Sequence, residues 1–362
     1  MQKIAVLGAG MVGSAIALDL ALQFDVTSID LSLKNLTDVK LKNDRINILQ
    51  KDLGRTLLFY DLLAPFDFIV SAVPGFLGFE ILKKIIEAKK NVVDISFFPE
   101  DALDLDILAK EYNVTAIVDC GVAPGMSNLI LGYENEQMKL DSFECYVGGL
   151  PVERKKPYEY KAPFSPIDVI EEYTRPARIY ENSEVVTKPA LSEIEPKIFP
   201  VIGELEAFNS DGLRSLLFTM DHIPNLKEKT LRYPGHANQM KEFRDAGKFE
   251  PDQLEQTLAE LFEAWKLEPN DDEFTLMQIT LKGENKIVSY DLLAYRDKAS
   301  GVSSMSRTTG YAATGAIHLL AKGLFTKQGV FPPELVGKDT PCFEYMLTHL
   351  KERGIDYKKS ES

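Results

Sequence analysis

Lys3-Ile4-Ala5-Val6-Leu7-Gly8-Ala9-Gly10-Met11-Val12-Gly13-Ser14 opens the chain as a short apolar strand running straight into G-x-G-x-x-G. Each glycine in this spacing has its own task in holding a dinucleotide. Gly8 allows the tight turn out of the strand, and Gly10 lets the backbone come close to a pyrophosphate. Gly13 lets the next helix press on the sheet, while that helix's free N–H groups face the anion. Glycines also punctuate ordinary turns, so context decides. An alanine- and leucine-rich helix follows from Val12 to Leu22, and then a second strand, Val26-Thr27-Ser28-Ile29-Asp30. That strand ends in an acid about 20 residues past the glycines, as the dinucleotide fingerprint requires.

Asp30 is placed to accept hydrogen bonds from the two hydroxyls of an adenosine ribose. A 2′-phosphate there would set about two negative charges against the carboxylate, and like charges at contact cost up to about 4 kcal/mol per pair near a surface. Leu31, Ser32 and Leu33 bring no arginine to offset this, and Lys34 is the nearest cation. The reading is therefore NAD rather than NADP, against the alternative that Asp30 only caps a turn.

Bulk properties narrow the classes. The 362 residues suffice for two domains, with 45% hydrophobic and 27% charged residues as in globular proteins. A formal charge of -14 argues against nucleic acid or an anionic membrane as the main partner. Neither a transmembrane stretch nor a secretory leader is evident, since the N-terminus enters the first strand directly. Cys120, Cys145 and Cys342 are odd in number and far apart, which fits reduced thiols and a cytoplasmic location. His222, His236, His318 and His349 lack the spacing of a zinc site, so no metal is expected.

Strand and helix keep alternating after Asp30. Phe66 to Pro74, Asn91 to Ser96 and Val114 to Asp119 read as buried strands, and Phe79 to Ala88 and Asp101 to Tyr112 as helices. Near-continuous apolar runs joined by helices predict a doubly wound parallel sheet of the Rossmann type, covered on both faces. Ligands of such sheets sit beyond the carboxyl ends of the strands. The expected coenzyme-binding positions are thus Gly8, Gly10, Met11, Val12, Gly13, Asp30, Ala72, Val73, Pro74, Ser96, Cys120 and Gly121. Past residue 125 the pattern changes. A strand at Phe143–Gly149, a proline-rich passage from Pro151 to Pro166, an amphipathic helix from Asp252 to Lys266 and a hairpin around Gly283-Glu284-Asn285 predict an inserted α+β domain. The expected division is 1–125 for the dinucleotide domain, with 306–345 returning to it, and 126–305 for the insertion. The charged tail after Gly354 reads as frayed.

Several segments beyond the glycine loop resemble the saccharopine dehydrogenase-like family. They are Val118 to Asn128 (VDCGVAPGMSN), Val147-Gly148-Gly149-Leu150-Pro151, Leu231 to His236 (LRYPGH), and Ser306-Arg307-Thr308-Thr309-Gly310 through to Gly329 to Glu334. They span most of the chain in family order. Tyr158 to Pro166 and Glu206 to Ser215 are most similar to the short lysine 6-dehydrogenase type within it. The resemblance implies a dinucleotide domain, an α+β domain for substrate binding and dimerisation, a homodimer, and hydride transfer at a carbon bearing an amine. Saccharopine-reducing members carry Asn-Arg-Asp-Ser where this chain has Asn209-Ser210-Asp211-Gly212, a departure that weighs against saccharopine.

Oxidising a primary amine requires a neutral nitrogen, and a free lysine ammonium has a pKa near 10.4, so the site must offset about 4.6 kcal/mol at neutral pH. Arg232 is the candidate for gripping a substrate α-carboxylate through its bidentate fork, the alternative being a surface arginine in a turn. His236 either takes up a proton near neutral pH or donates to a backbone carbonyl as a structural ring. Asp119 holds an amine, polarises a bound water, or orients the Gly121–Gly125 turn. Cys120 reads as a packing residue, and Tyr160 and Asp211 as pocket-lining ones. Three readings follow: an NAD-dependent oxidase of the L-lysine ε-amine, a saccharopine or carboxynorspermidine dehydrogenase or reductase, and a non-catalytic nicotinamide-binding redox sensor.

Overall fold

A computed structural model describes residues 1–56, 58–268 and 270–362. The chain forms two compact units, Met1–Glu136 with Ser306–Gly354, and Gln137–Met305 with Ile355–Ser362.

The first unit starts with β1 (Lys3–Leu7), whose last four side chains are buried. It continues through β2 (Asp25–Asp30), β3 (Asn47–Gln50), β4 (Phe68–Ser71), β5 (Asn91–Asp94) and β6 (Thr115–Ile117). These strands pair in parallel in the order β3-β2-β1-β4-β5-β6. The order reverses between β1 and β4, which places a ligand crevice beyond the carboxyl ends at that point. Parallel strands buried on both faces must be apolar, and Ile4, Ala5, Val6, Leu7, Ile69, Val70, Val92 and Val93 are all fully buried.

The Met126–Gln137 helix belongs to this unit, so the boundary lies at Gln137 rather than after residue 125. Close approach fixes it: a Cβ on Gly132 would fall 2.0 Å from the carbonyl oxygen of Glu334, and Asn128 donates to the Glu334 carboxylate at 3.2 Å.

The chain then builds the second unit. β7 (Ser142–Pro151) precedes the hairpin of β8 (Ala177–Glu181) and β9 (Glu184–Lys188). β10 (Glu195–Phe199), β11 (Gly203–Asn209), β12 (Asn225–Arg232), β13 (Glu273–Gly283) and β14 (Lys286–Tyr295) complete a mixed sheet. Among the described residues only β7 and β12 pair in parallel within it, and β13–β14 is the hairpin expected from sequence, turning through Glu284 and Asn285 at positive φ. Trp265, Tyr173, Phe208 and Phe274 anchor its core.

The Ser304–Ala321 helix leads back to the first unit, where β15 (Gly329–Phe331) adds to β6 in parallel. A Cβ on Gly310 would come 3.2 Å from Ile16, so the small-residue face of this helix sits against the Met11–Leu20 helix. Arg353 then clasps both Asp19 oxygens through Nε at 2.8 and 3.0 Å, tying the end of the unit to the first helix. The tail is not frayed. It forms β16 (Lys358–Glu361), antiparallel to β14, with every side chain exposed. Lys286 meets Glu361 across this pairing at 2.7 Å, but the strand buries no side chain, so the apolar pattern does not report it.

Candidate active site

In the first unit the glycine loop has the geometry its spacing demands. Gly8 sits at φ +102°, and a Cβ there would lie 2.3 Å from the carbonyl oxygen of Ala72. A Cβ on Gly13 would lie 2.1 Å from the carbonyl oxygen of Gly8. Gly10 is different: it is exposed, and nothing lies within 4 Å of where its Cβ would be. Gly8 and Gly13 are therefore closed by protein backbone, while Gly10 is a clearing in front of the Met11–Leu20 helix, whose N-terminus has no side-chain cap. That is a cradle into which a pyrophosphate fits. Gly10→Ala is accordingly expected to leave the melting temperature within a degree or two while weakening coenzyme binding at least tenfold (~1.4 kcal/mol). Calorimetry beside a thermal melt checks it.

Asp30 closes the other end of the loop. One carboxylate oxygen accepts from the Ala9 N–H and the other from the Ser32 N–H, both at 2.6 Å. Two backbone donors orient the group at the end of β2, and each oxygen keeps a further lone pair for a ligand hydroxyl. Met11 is exposed and Val12 half-buried at the same helix start. Ala72, Val73 and Pro74 follow β4, Ser96 follows β5, and Cys120 and Gly121 follow β6, all along the carboxyl edge.

Beneath that edge lies a group the sequence reading missed. Asp94 is wholly buried at the end of β5. Its carboxylate accepts from the Ser96 N–H at 2.8 Å and from the Ser96 hydroxyl at 3.3 Å. Burial pushes its pKa up to about 7, against the Ser71 and Ser96 hydrogen bonds and with the help of Asp119. Asp119 is 5% exposed and stands at φ +49°, leading into a turn where Gly121 N–H donates to its carbonyl at 3.0 Å. Burial raises the Cys120 thiol to about 12, reinforced by Asp119 and Asp94, which makes it a packing group.

The second unit holds a buried polar cluster around Arg232, the last residue of β12. Arg232 is 2% exposed, so it is not a surface arginine in a turn. Its Nε donates to the Tyr173 hydroxyl at 2.9 Å, Nη1 to the Leu231 carbonyl at 2.9 Å, and Nη2 to Glu172 at 2.7 Å. The guanidinium lies over the Tyr160 ring, 4.5 Å from its centroid.

His236 joins the cluster from the start of the next helix. Its Nδ1 faces the Tyr158 carbonyl at 3.0 Å, and its Nε2 faces the Tyr173 hydroxyl at 3.0 Å. A carbonyl can only accept, so Nδ1 carries the proton and Nε2 accepts from Tyr173. Tyr173 in turn accepts from Arg232, and the chain of bonds is complete with a neutral imidazole. Burial, with the Arg232 charge behind it, brings the His236 pKa down to about 3. Of the two readings, the structural ring replaces the proton acceptor near neutral pH.

Asp211 stands apart from this cluster. Its carboxylate is clasped by Arg178, Nε to one oxygen at 3.0 Å and Nη2 to the other at 2.9 Å, and it is only 5% exposed. That fork spends the carboxylate on bracing β8, not on lining a pocket. Glu172, Tyr173 and Trp265 are members of the Arg232 cluster that sequence did not single out. The signal was weak: an acid beside a tyrosine on an amphipathic helix usually reads as one surface residue and one core residue.

Comparison with known proteins agrees with this architecture. A family model described as the saccharopine dehydrogenase NADP binding domain matches residues 4–117, and one described as the saccharopine dehydrogenase C-terminal domain matches 121–355. Mitochondrial alpha-aminoadipic semialdehyde synthase of Bos taurus is 26% identical over 263 residues, covering 68% of this chain but 28% of that protein. Saccharopine dehydrogenase [NADP(+), L-glutamate-forming] of Pyricularia oryzae is 27% identical over 197 residues, covering 51% of this chain and 44% of its own length. The chain thus spans well under two thirds of these relatives. The structure of apo saccharopine dehydrogenase (L-Glu forming) from Saccharomyces cerevisiae aligns over 100% of both chains with a TM-score of 0.81 at 19% identity, a likeness of fold. Among the described residues no helix is long and apolar enough to cross a membrane, and no cluster of ligating side chains could hold a metal. With the two family models together matching residues 4–117 and 121–355, the chain belongs to the saccharopine dehydrogenase family.

Proposed function

We propose that the protein is an NAD-dependent dehydrogenase that oxidises the ε-amine of L-lysine. The observation that carries the substrate side is the buried Arg232 guanidinium. Three of its five N–H groups serve Tyr173, Leu231 and Glu172, which leaves two donors for a carboxylate. A charge sealed among tyrosine rings is a fork for an anion, and the α-carboxylate of an amino acid suits it. On the other unit, the Gly10 clearing receives the pyrophosphate and Asp30 the ribose hydroxyls. The bound coenzyme supplies the acceptor for hydride. The amine nitrogen must shed a proton before the adjacent carbon gives up hydride.

The choice of NAD rests on Asp30. Its carboxylate is held in place by two backbone donors, and a 2′-phosphate would stand against it without an arginine in the next three residues. Asp30→Ala is expected to weaken NAD binding about tenfold to a hundredfold, the loss of hydrogen bonds to a charged group, and to relax discrimination against NADP. Calorimetric titration with each coenzyme measures this. Unchanged discrimination would assign the ribose to another group.

The names of the relatives favour a second reading, oxidation of saccharopine. Incubation with NAD and either lysine or saccharopine, with and without 2-oxoglutarate, separates the two by following reduced nicotinamide. Reduction with saccharopine but not lysine overturns the lysine reading.

A further inference from the structure

We propose that Glu172 and Arg232 together form a clamp for a zwitterionic α-amino-acid head, Arg232 taking the carboxylate and Glu172 the α-ammonium. The inference rests on the reading of Arg232 as the carboxylate anchor and extends it to a second charge and a second set of donors.

Four observations lead there. Glu172 meets Arg232 through one oxygen, Oε2 at 2.7 Å, and its other oxygen has no hydrogen-bond partner among the described residues. Its side chain keeps 22% of its exposure while that of Arg232 keeps 3%, so Glu172 is the member of the pair that meets solvent. The Tyr160 hydroxyl is buried without a partner among the described residues, and so is the Trp265 indole N–H. Tyr160 and Trp265 are 3% and 0% exposed, and their rings meet edge-on with centroids 5.2 Å apart. Native interiors rarely leave two such donors orphaned, and a ligand that accepts hydrogen bonds accounts for both.

The charges decide the class of ligand. Arg232 and Glu172 sum to zero, and a buried pair tolerates a guest best when that guest also sums to zero. A zwitterionic head sets its carboxylate against Arg232, Tyr160 and Trp265, and its ammonium against the spare Glu172 oxygen. A simple carboxylate leaves the acid unmatched, and a simple amine leaves the donors unmatched. Burial raises the Glu172 pKa and the Arg232 charge opposes that rise. The substrate class is then an α-amino acid recognised by its head, with the distal chain free to carry the reacting amine.

The test uses heads that cannot react. L-norleucine has the head and four-carbon chain of lysine without the ε-amine, and hexanoate has the same carbon chain without the α-amine. Calorimetry on the full chain, with NAD present, is expected to show norleucine binding at least tenfold tighter than hexanoate. Glu172→Gln should erase that advantage and leave hexanoate unchanged, whereas Trp265→Phe should weaken both. Should Glu172→Gln not fold, Glu172→Asp retains the charge with a shorter reach, and it should lower norleucine affinity several-fold at an unchanged melting temperature. Equal affinity of the wild type for norleucine and hexanoate overturns the clamp. So does a Glu172 variant that weakens both ligands alike, since that is what lost packing would do. Norleucine binding without turnover of lysine sustains the clamp and removes only the proposed reaction.

Discussion

Replacing Arg232 by alanine is expected to lower the free energy of unfolding by about 2–3 kcal/mol, because the half-buried Glu172 carboxylate loses its charged hydrogen-bond donor and the Leu231 carbonyl loses another. Tyr173 loses its Nε donor at the same time, and the hydroxyl chain to His236 loses its starting point. Lysine turnover should cease to saturate, since the proposed carboxylate anchor is gone. NAD affinity should hold, because Gly8, Gly10, Gly13 and Asp30 all lie in the other unit. Urea denaturation, lysine kinetics and an NAD titration read the three effects separately. A variant as stable as the wild type would mean that Glu172 finds another partner, and an unchanged KM for lysine would remove Arg232 from the site.

Asp94→Asn is expected to act in the opposite direction and to depend on pH. Burial lifts the Asp94 pKa from 3.8 to about 7. A carboxyl whose folded pKa exceeds its unfolded one favours the fold while it is protonated. That contribution is complete below about pH 4 and is lost as pH rises through 7. The rise corresponds to about 4 kcal/mol at 1.36 kcal/mol for each tenfold change. Asparagine keeps a side-chain oxygen for the Ser96 N–H and carries no titrating proton. The stability of the wild type relative to the variant should therefore fall by up to about 4 kcal/mol between pH 4 and pH 8, leaving the variant ahead at the alkaline end. Denaturation curves across that range decide it, and a flat difference would show that the ionised acid is accommodated.

Asp94 also marks where sequence stops informing. The aspartate ends a strand reading Asn91-Val92-Val93-Asp94, and nothing in the pattern says whether that acid faces water or the interior. Only the placement of β5 between β4 and β6, with Ser71, Ser96 and Asp119 around it, makes it a buried titrating group. Glu172 is the same case on a helix, since its meaning comes from Arg232, which lies 60 residues further along the chain. His236 shows how neighbours overrule an intrinsic property. A histidine titrates near neutrality by itself, yet one carbonyl and one hydroxyl on its two nitrogens assign it a single neutral form. The β16 strand was illegible for a further reason: Lys358 to Glu361 carry only exposed side chains, and the backbone bonds to β14 leave no trace in composition.

Sequence by itself determined the dinucleotide unit, the acid that closes its glycine loop and the alternation that builds a parallel sheet. Those features depend on backbone conformation, on residue spacing and on the period of apolar side chains, all of which are local. Tertiary structure alone decided which polar groups are sealed from water and against what. Desolvation and pairing between residues far apart in the chain shifted Asp94 and His236 in opposite directions, matched Glu172 to Arg232, and buried the Tyr160 and Trp265 donors without a partner among the described residues.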